Sequence, residues 1–93
     1  MAHEKEIKIN FPQDKHGGVY ANSLFVGYTR EEFIIDFIMA APPAGAVTAR
    51  IVTAPAHMKR FLAALQDNIK KYEETFGEIK PAMDPKGPFG FNA

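Results

Sequence analysis

The sequence predicts an α+β domain, in which an antiparallel four-stranded sheet is followed by one long C-terminal helix and packs as a homodimer. Between 5 and 53, the chain alternates apolar with polar residues or is rich in branched and aromatic residues, as β-strands are. Residues 55–77 instead repeat apolar residues at spacings of four and three, which is the period of a helix. The middle strands are apolar on both faces, and one helix covers only one face, so we expect a second copy to cover the other.

Length and charge limit the classes of protein to consider. The chain has 93 residues, no cysteine, and eleven basic residues balanced by eleven acidic ones. We expect one domain over 1–77 and a flexible tail, rich in proline and glycine, over 78–93. No apolar run is long enough for a membrane span or a signal peptide, so we expect a cytoplasmic protein. The zero net charge argues against a dedicated nucleic-acid-binding domain.

The first two predicted strands lie on either side of a loop with breakers at Asp14, Gly17 and Gly18. Residues from Lys5 to Pro12 alternate and predict a half-buried strand, with Ile7, Ile9 and Phe11 on one side and Lys8 and Asn10 on the other. Residues from Val19 to Tyr28 predict the second strand. One of its faces carries Val19, Ala21 and Phe25, and the other carries Tyr20, Leu24, Val26 and Tyr28.

The segment from Thr29 to Ala41 is open to two interpretations. A threonine followed three residues later by Glu32 is a capping-box pattern, which would start a short helix. The run FIIDFIM is apolar on both alternating faces, and its two isoleucines and two phenylalanines favour a strand. We favour a turn followed by a strand.

A proline-rich break separates this strand from the next. Ala41-Pro42-Pro43-Ala44-Gly45 cannot lie inside a β-ladder, and residues from Ala46 to Thr53 predict the fourth strand. A hairpin centred on Pro43 would place Asp36 opposite Arg50. We predict that these two form an ion pair that fixes the register.

The helix is predicted to begin at Pro55 and to end at Gly77, a good helix stop. Its apolar stripe consists of Met58, Leu62, Leu65, Ile69, Tyr72 and Phe76. The stripe is symmetric about Asp67, so it can meet its own copy running antiparallel, with Arg60 near the partner's Glu74. The stripe, Arg60 and Glu74 form the predicted dimer interface. The alternative is that the stripe packs on the chain's own sheet, with Phe61 and Leu65 in the core.

No set of residues predicts a catalytic, cofactor or metal site. The histidines at 3, 16 and 57 lack ligand spacing, and His16-Gly17-Gly18 has no accompanying nucleophile motif. Glu31, Glu32 and Asp36 are close in sequence, but a solvated turn and one ion pair explain them. We therefore expect a protein that is not an enzyme, with itself as partner in a homodimer or larger assembly. A further protein partner stays open, with Phe89 and Phe91 as anchors in the tail.

An alternative function is nucleic-acid binding through the basic residues of the helix. These are Lys59, Arg60, Lys70 and Lys71, spaced so that pairs of them share a helix face. Interleaved acidic residues weaken their field, so we expect neither nucleic acid nor a membrane as partner.

Two stretches resemble a family of small bacterial proteins, domain-of-unknown-function family number thirty-four sixty-seven. They are VYANSLFVGYTREEFIIDFIMAAPP and TARIVTAPAHMKRFLAALQDNIKKYEETFGEI, which together span most of residues 19–79. The resemblance implies a short, free-standing bacterial protein, and it carries over no activity because the family has no established one. The predicted order of elements also looks like the protomer of the SecB-type export chaperone, an analogy of fold that implies apolar grooves for partner chains. We expect a non-enzymatic interaction or scaffold protein of this general, chaperone-like kind.

Overall fold

The computed structural model describes residues 5–82 and has an α+β fold. Its elements are a short 3-10 helix (Gln13–Lys15), three strands, β1 (Ser23–Tyr28), β2 (Phe33–Ala41) and β3 (Ala44–Thr53), and one helix, α1 (Pro55–Phe76). The strands form an antiparallel meander in the order β1-β2-β3. The predicted combination of an antiparallel sheet and a C-terminal helix is confirmed.

The sheet has three strands in the described part of the chain, where the sequence predicts four. Residues 5–12 pair with no described strand, and Ile7 and Ile9 are 84% and 88% exposed. A tight turn follows, in which the backbone oxygen of Pro12 accepts from Lys15 N at 2.9 Å and the Phe11 ring meets the His16 ring edge-on at 4.7 Å. An alternating segment becomes a strand only when a neighbouring strand takes its hydrogen bonds, and here none of the described strands pairs with residues 5–12.

The second predicted strand begins later than expected, at Ser23 instead of Val19. Just before it, the Asn22 side chain donates to Ala40 O at 2.7 Å and accepts from Ala40 N at 2.8 Å. An amide side chain thus takes the place of a backbone partner at the end of β2. This clamp ends the regular pairing of β1 with β2.

The segment from Thr29 to Ala41 is a turn followed by a strand, as favoured from its composition. The Thr29 hydroxyl accepts from Glu31 N and Glu32 N, both at 3.2 Å, and Thr29 N donates to Glu32 O at 2.8 Å. The hydroxyl bond to Glu32 N is one half of a capping box, but Thr29 N donates to the backbone oxygen of Glu32 and not to its side chain. The bonds therefore close a tight turn between β1 and β2 instead of starting a helix. The strand then begins at Phe33.

The hairpin of β2 and β3 has the predicted pairing of Asp36 with Arg50. At the turn, Ala41 pairs with Ala44 around Pro42 and Pro43, so the hairpin centre lies between the two prolines. An irregularity between Phe37 and Ile38 inserts Thr48 as one extra residue in β3. This bulge shifts the register by one residue, which is why Asp36 still lies opposite Arg50.

Asp36 and Arg50 form a bidentate ion pair on one face of the sheet. Arg50 Nε donates to Asp36 Oδ1 at 2.6 Å, and Arg50 Nη2 donates to Oδ2 at 2.9 Å. The Asp36 side chain is only 14% exposed, whereas the Arg50 side chain is 63% exposed. The hydrogen bonds from Arg50 hold the pKa of Asp36 below its usual value, against a smaller opposing effect of desolvation.

The helix has the predicted boundaries. Pro55 occupies its first turn, and Gly77 follows its last residue with a φ of 100° and donates from its N–H to Glu73 O at 2.9 Å. A positive φ at that position favours glycine. Residues 78–82 form no helix or strand, while 83–93, with Phe89 and Phe91 of the predicted tail, lie outside the described residues.

Little of this chain is buried. Among the described residues only Ile35 and Ile38 are buried, with exposures of 3% and 5%, and they lie on opposite faces of β2. The helix makes few close approaches to the sheet. The part-buried helix residues are Pro55, Met58 and Phe61 near its start, and Glu73 near its end. The middle of the helix therefore lies largely uncovered by the described part of its own chain.

Gly45 gives a prediction about the hairpin. A Cβ at this position would approach Met39 O to 2.7 Å and Ala40 Cα to 3.0 Å. We expect Gly45→Ala to destabilise the fold by about 1–3 kcal/mol, because both obstructing atoms belong to the backbone. Gly27→Ala is the matched control, since a Cβ there meets nothing within 4 Å. Denaturant unfolding of both variants checks this, and equal stability of the two would contradict the hairpin geometry.

The Asp36–Arg50 pair predicts a pH dependence of stability. Because folding lowers the pKa of Asp36, the pair stabilises the fold above the unfolded pKa of about 3.9 and this contribution disappears as the pH falls through the folded pKa. Arg50→Gln removes the cause of the shift. We expect the wild type to lose more stability than Arg50→Gln between pH 5 and pH 2, roughly the window of such a carboxylate. Unfolding midpoints across this range test it, and parallel losses would show that Arg50 does not lower the pKa of Asp36 in the folded protein.

Candidate functional site

The most exposed continuous apolar surface on the helix is the predicted stripe. Its members from Leu62 onward are Leu62, Leu65, Ile69, Tyr72 and Phe76, with exposures of 52%, 44%, 48%, 50% and 74%. Over the 22 residues of α1 the helix rises about 33 Å, so the stripe is long and straight. Tyr72 and Phe76 contact each other, with ring centroids 5.0 Å apart. Exposed apolar surfaces of this extent mark interaction sites.

The alternative, in which the stripe packs on the chain's own sheet, does not describe this structure. Phe61 is part-buried, but Leu65, the other residue expected in a core, remains 44% exposed. Only the beginning of the stripe, at Met58, is part-buried. The rest of the stripe is therefore available to a partner.

Helical geometry decides which charged residues flank the stripe. At 100° per residue, Arg60 and Glu74 each lie about 160° from the centre of the stripe, on the opposite side of α1. Pairing through the stripe therefore does not bring Arg60 near the partner's Glu74, which corrects that part of the predicted interface. Lys59 and Glu73 lie about 100° and 60° from the centre, on one common edge.

Several helix side chains are engaged within the chain. Arg60 Nη2 donates to His57 Nδ1 at 3.1 Å, and Lys71 Nζ lies 3.0 Å from Asp67 Oδ2 one turn away. Glu73 Oε2 accepts from Ile79 N at 2.9 Å. Two of the four basic residues considered for nucleic-acid binding are thus already bonded, and both lie on the side opposite the stripe.

The sheet carries a second exposed apolar surface. On the face that contains Ile35, the register places Leu24, Val26 and Tyr28 of β1 beside β2, with exposures of 54%, 46% and 77%. Ile51 of β3 lies on the same face and is 48% exposed. Within Ser23–Tyr28 the expected faces are confirmed, with Phe25 opposite Leu24, Val26 and Tyr28, whereas Val19, Tyr20 and Ala21 lie before the strand. The two-sided apolar character of β2 is also confirmed, because Ile38 is buried on the face opposite Ile35.

The residues considered for chemistry do not come together. Among residues 5–82, no three histidine, aspartate or glutamate side chains are grouped so that they could hold a metal ion. His16 Nε2 is 3.3 Å from Phe11 O, the neighbouring glycines form a turn, and Asp36 is bonded to Arg50. Within the same range, no helix combines the length and apolar character needed to cross a membrane.

The comparisons with known proteins give a family. The family described as "Protein of unknown function (DUF3467)" matches residues 1–81, which include every strand and the whole of α1. The chain belongs to this family. Comparison with curated proteins and with solved structures gave no match. The resemblance stated from the sequence is confirmed, and membership of DUF3467 assigns no activity to the site.

Substitution within the stripe gives a prediction about its role. We expect Leu65→Lys to abolish self-association, because each copy would bury a charge in the centre of the interface. Ala63→Lys adds the same charge to an exposed position about 140° from the stripe and should leave association unchanged. Light scattering after size exclusion, over a concentration series, measures both masses against the 10.3 kDa chain. Identical behaviour of the two variants would show that the stripe is not an interface.

Proposed function

We propose that this protein is a non-enzymatic, homo-oligomeric interaction or scaffold protein that assembles through α1. The observation that carries this proposal is the apolar stripe, which stays 44–74% exposed from Leu62 to Phe76 on the isolated chain. Exposed leucine, isoleucine and phenylalanine at heptad-like spacing are stabilised when a second helix packs against them. The symmetry of the stripe makes a second copy of the same chain the fitting partner.

The proposed dimer pairs two α1 helices antiparallel about an axis near Asp67. Three kinds of layer then form, each occurring twice: Met58 with the partner's Phe76, Leu62 with the partner's Tyr72, and Leu65 with the partner's Ile69. Along one edge, Lys59 of each copy approaches the partner's Glu73. This charge pairing favours the antiparallel orientation, since in a parallel pair the edges that carry Lys59 and Glu73 would lie on opposite sides of the interface.

The antiparallel pairing also accounts for an unfavourable distribution of charges along the helix. Lys59 and Arg60 lie near its N-terminus and Glu73 and Glu74 near its C-terminus, which opposes the helix macrodipole by about 0.3–1 kcal/mol per charge. In the antiparallel dimer each end of one helix lies beside the opposite end of the other. The opposing dipoles and charges then compensate each other between copies.

Besides the stripe, the Ile35 face of the sheet carries a second set of exposed apolar side chains around the buried Ile35. That face offers Leu24, Val26 and Ile51, and this supports a scaffold or chaperone-like role toward other protein chains in the bacterial cytoplasm. Nucleic-acid binding, the alternative, gains no specific support. Lys71 is paired with Asp67, and Lys59 lies where the proposed interface uses it.

A charge-reversal experiment tests the antiparallel pairing. We expect Lys59→Glu to weaken the dimer, because two glutamates would then face each other at both ends of the interface. Exposed pairs contribute about 0.2–1 kcal/mol each, so two reversed pairs should raise the dissociation constant roughly tenfold. Adding Glu73→Lys in the same chain should restore association.

The matched control uses the neighbouring charges on the other side of α1. Arg60→Glu, with and without Glu74→Arg, should leave the dissociation constant unchanged at low salt. Sedimentation equilibrium measures all five proteins. Rescue by the Arg60 and Glu74 pair in place of the Lys59 and Glu73 pair would contradict the proposed rotation of the helices.

A further inference from the structure

The two edges of the sheet differ in how they are protected against pairing. β3 carries the bulge at Thr48 and the charged side chain of Arg50, two features that discourage another strand from adding to an edge. β1 has the sequence SLFVGY, without charge or proline, and pairs with β2 in a register free of bulges. β1 is therefore an apolar edge strand of the kind that natural proteins usually cover with another element.

The segment 5–12 has the properties expected of a strand that could pair with the outer edge of β1. Ile7, Ile9 and Phe11 alternate with polar residues and are 84%, 88% and 64% exposed. A strand with this pattern places its three apolar side chains on one face. Pro12 ends the segment, at a position where a strand edge tolerates proline. Eight residues are enough to match the six of β1.

We propose that residues 5–12 of one copy add as a fourth strand, antiparallel, to the outer edge of β1 in a second copy, the edge with which no other described strand pairs. Ile9 then lies beside the partner's Val26, with Ile7 near the partner's Tyr28 and Phe11 near the partner's Leu24. This extends the apolar Ile35 face by one strand. The backbone groups on the outer edge of β1 gain partners, as in other cases of strand addition.

The chain's own geometry favours a second copy as the acceptor. Between the segment and β1, successive bonds close the turn: Lys15 N to Pro12 O, His16 N to Gln13 O at 3.2 Å, and Gly18 N to Lys15 O at 3.1 Å. With this turn closed, Phe11 lies against His16, and residues 5–12 pair with no described strand of their own chain. The inference rests on the proposed function in one respect, because it requires a second copy to be present.

Disulfide trapping tests the proposal directly, because the chain has no cysteine of its own. The double variant Ile9→Cys with Val26→Cys is oxidised in the full chain and separated without reductant. We expect a covalent dimer as the main product. Lys8→Cys with Val26→Cys is the matched control, since residue 8 points to the other face, and this product should be lost. Each single-cysteine variant should stay uncrosslinked.

The outcomes separate this inference from the proposed function. A disulfide within one chain would show that the segment pairs with its own β1, and this would overturn the exchange between copies. A dimer by light scattering without the crosslink would overturn the strand addition and leave the helix dimer in place. A monomer at every concentration would overturn both. A crosslink that persists with Leu65→Lys added would show that strand addition holds two copies together without the α1 interface.

Discussion

One helix cannot cover both faces of an apolar sheet, and the rest of this structure follows from that constraint. β2 has Ile35 on one face and Ile38 on the other, and both are buried. In α1 only Pro55, Met58 and Phe61 near the start and Glu73 near the end are part-buried, so the middle of the helix is exposed. A chain of this size buries too little apolar surface to be strongly stable alone. Association with another copy is the direct way to increase that burial.

The hairpin of β2 and β3 shows how a few polar contacts place these apolar surfaces. The proline turn and the bulge at Thr48 together set which residues of β2 and β3 lie opposite each other. They place Asp36 opposite Arg50, and these two side chains form an ion pair. A slip of one residue would turn each apolar row of β3 to the other face. Because the Arg50 side chain is 63% exposed, the pair contributes only modestly to stability, and we propose that its main effect is on register.

The helix and the sheet edge offer different kinds of interface. The stripe on α1 presents side chains at helical spacing, and in the proposed dimer a copy of itself packs against it, with Lys59 and Glu73 setting the orientation. The edge of β1 presents backbone groups, and in the proposed strand addition an extended segment such as 5–12 pairs with them. Both surfaces fit the proposed role in binding other chains.

The sequence by itself determined the elements whose signals are local. Proline at 55, glycine at 77 and the spacing between them defined α1, because caps and periodicity act within one helix. The alternating pattern and the branched residues favoured a strand over a helix for the segment that forms β2. A hairpin centred on Pro43 predicted the pairing of Asp36 with Arg50. The family was also evident from the sequence, since its characteristic residues span most of the chain.

The tertiary structure decided the features that depend on distant partners. Alternation at Ile7 and Ile9 predicted a strand, but a strand requires a neighbour, and no described strand supplies one within the chain. The start of β1 at Ser23 depended on Asn22 reaching Ala40, a contact between residues 18 positions apart. Exposure of the stripe was likewise decided by where α1 lies relative to the sheet. A local pattern fixes which residues share a face, whereas burial depends on what packs against that face.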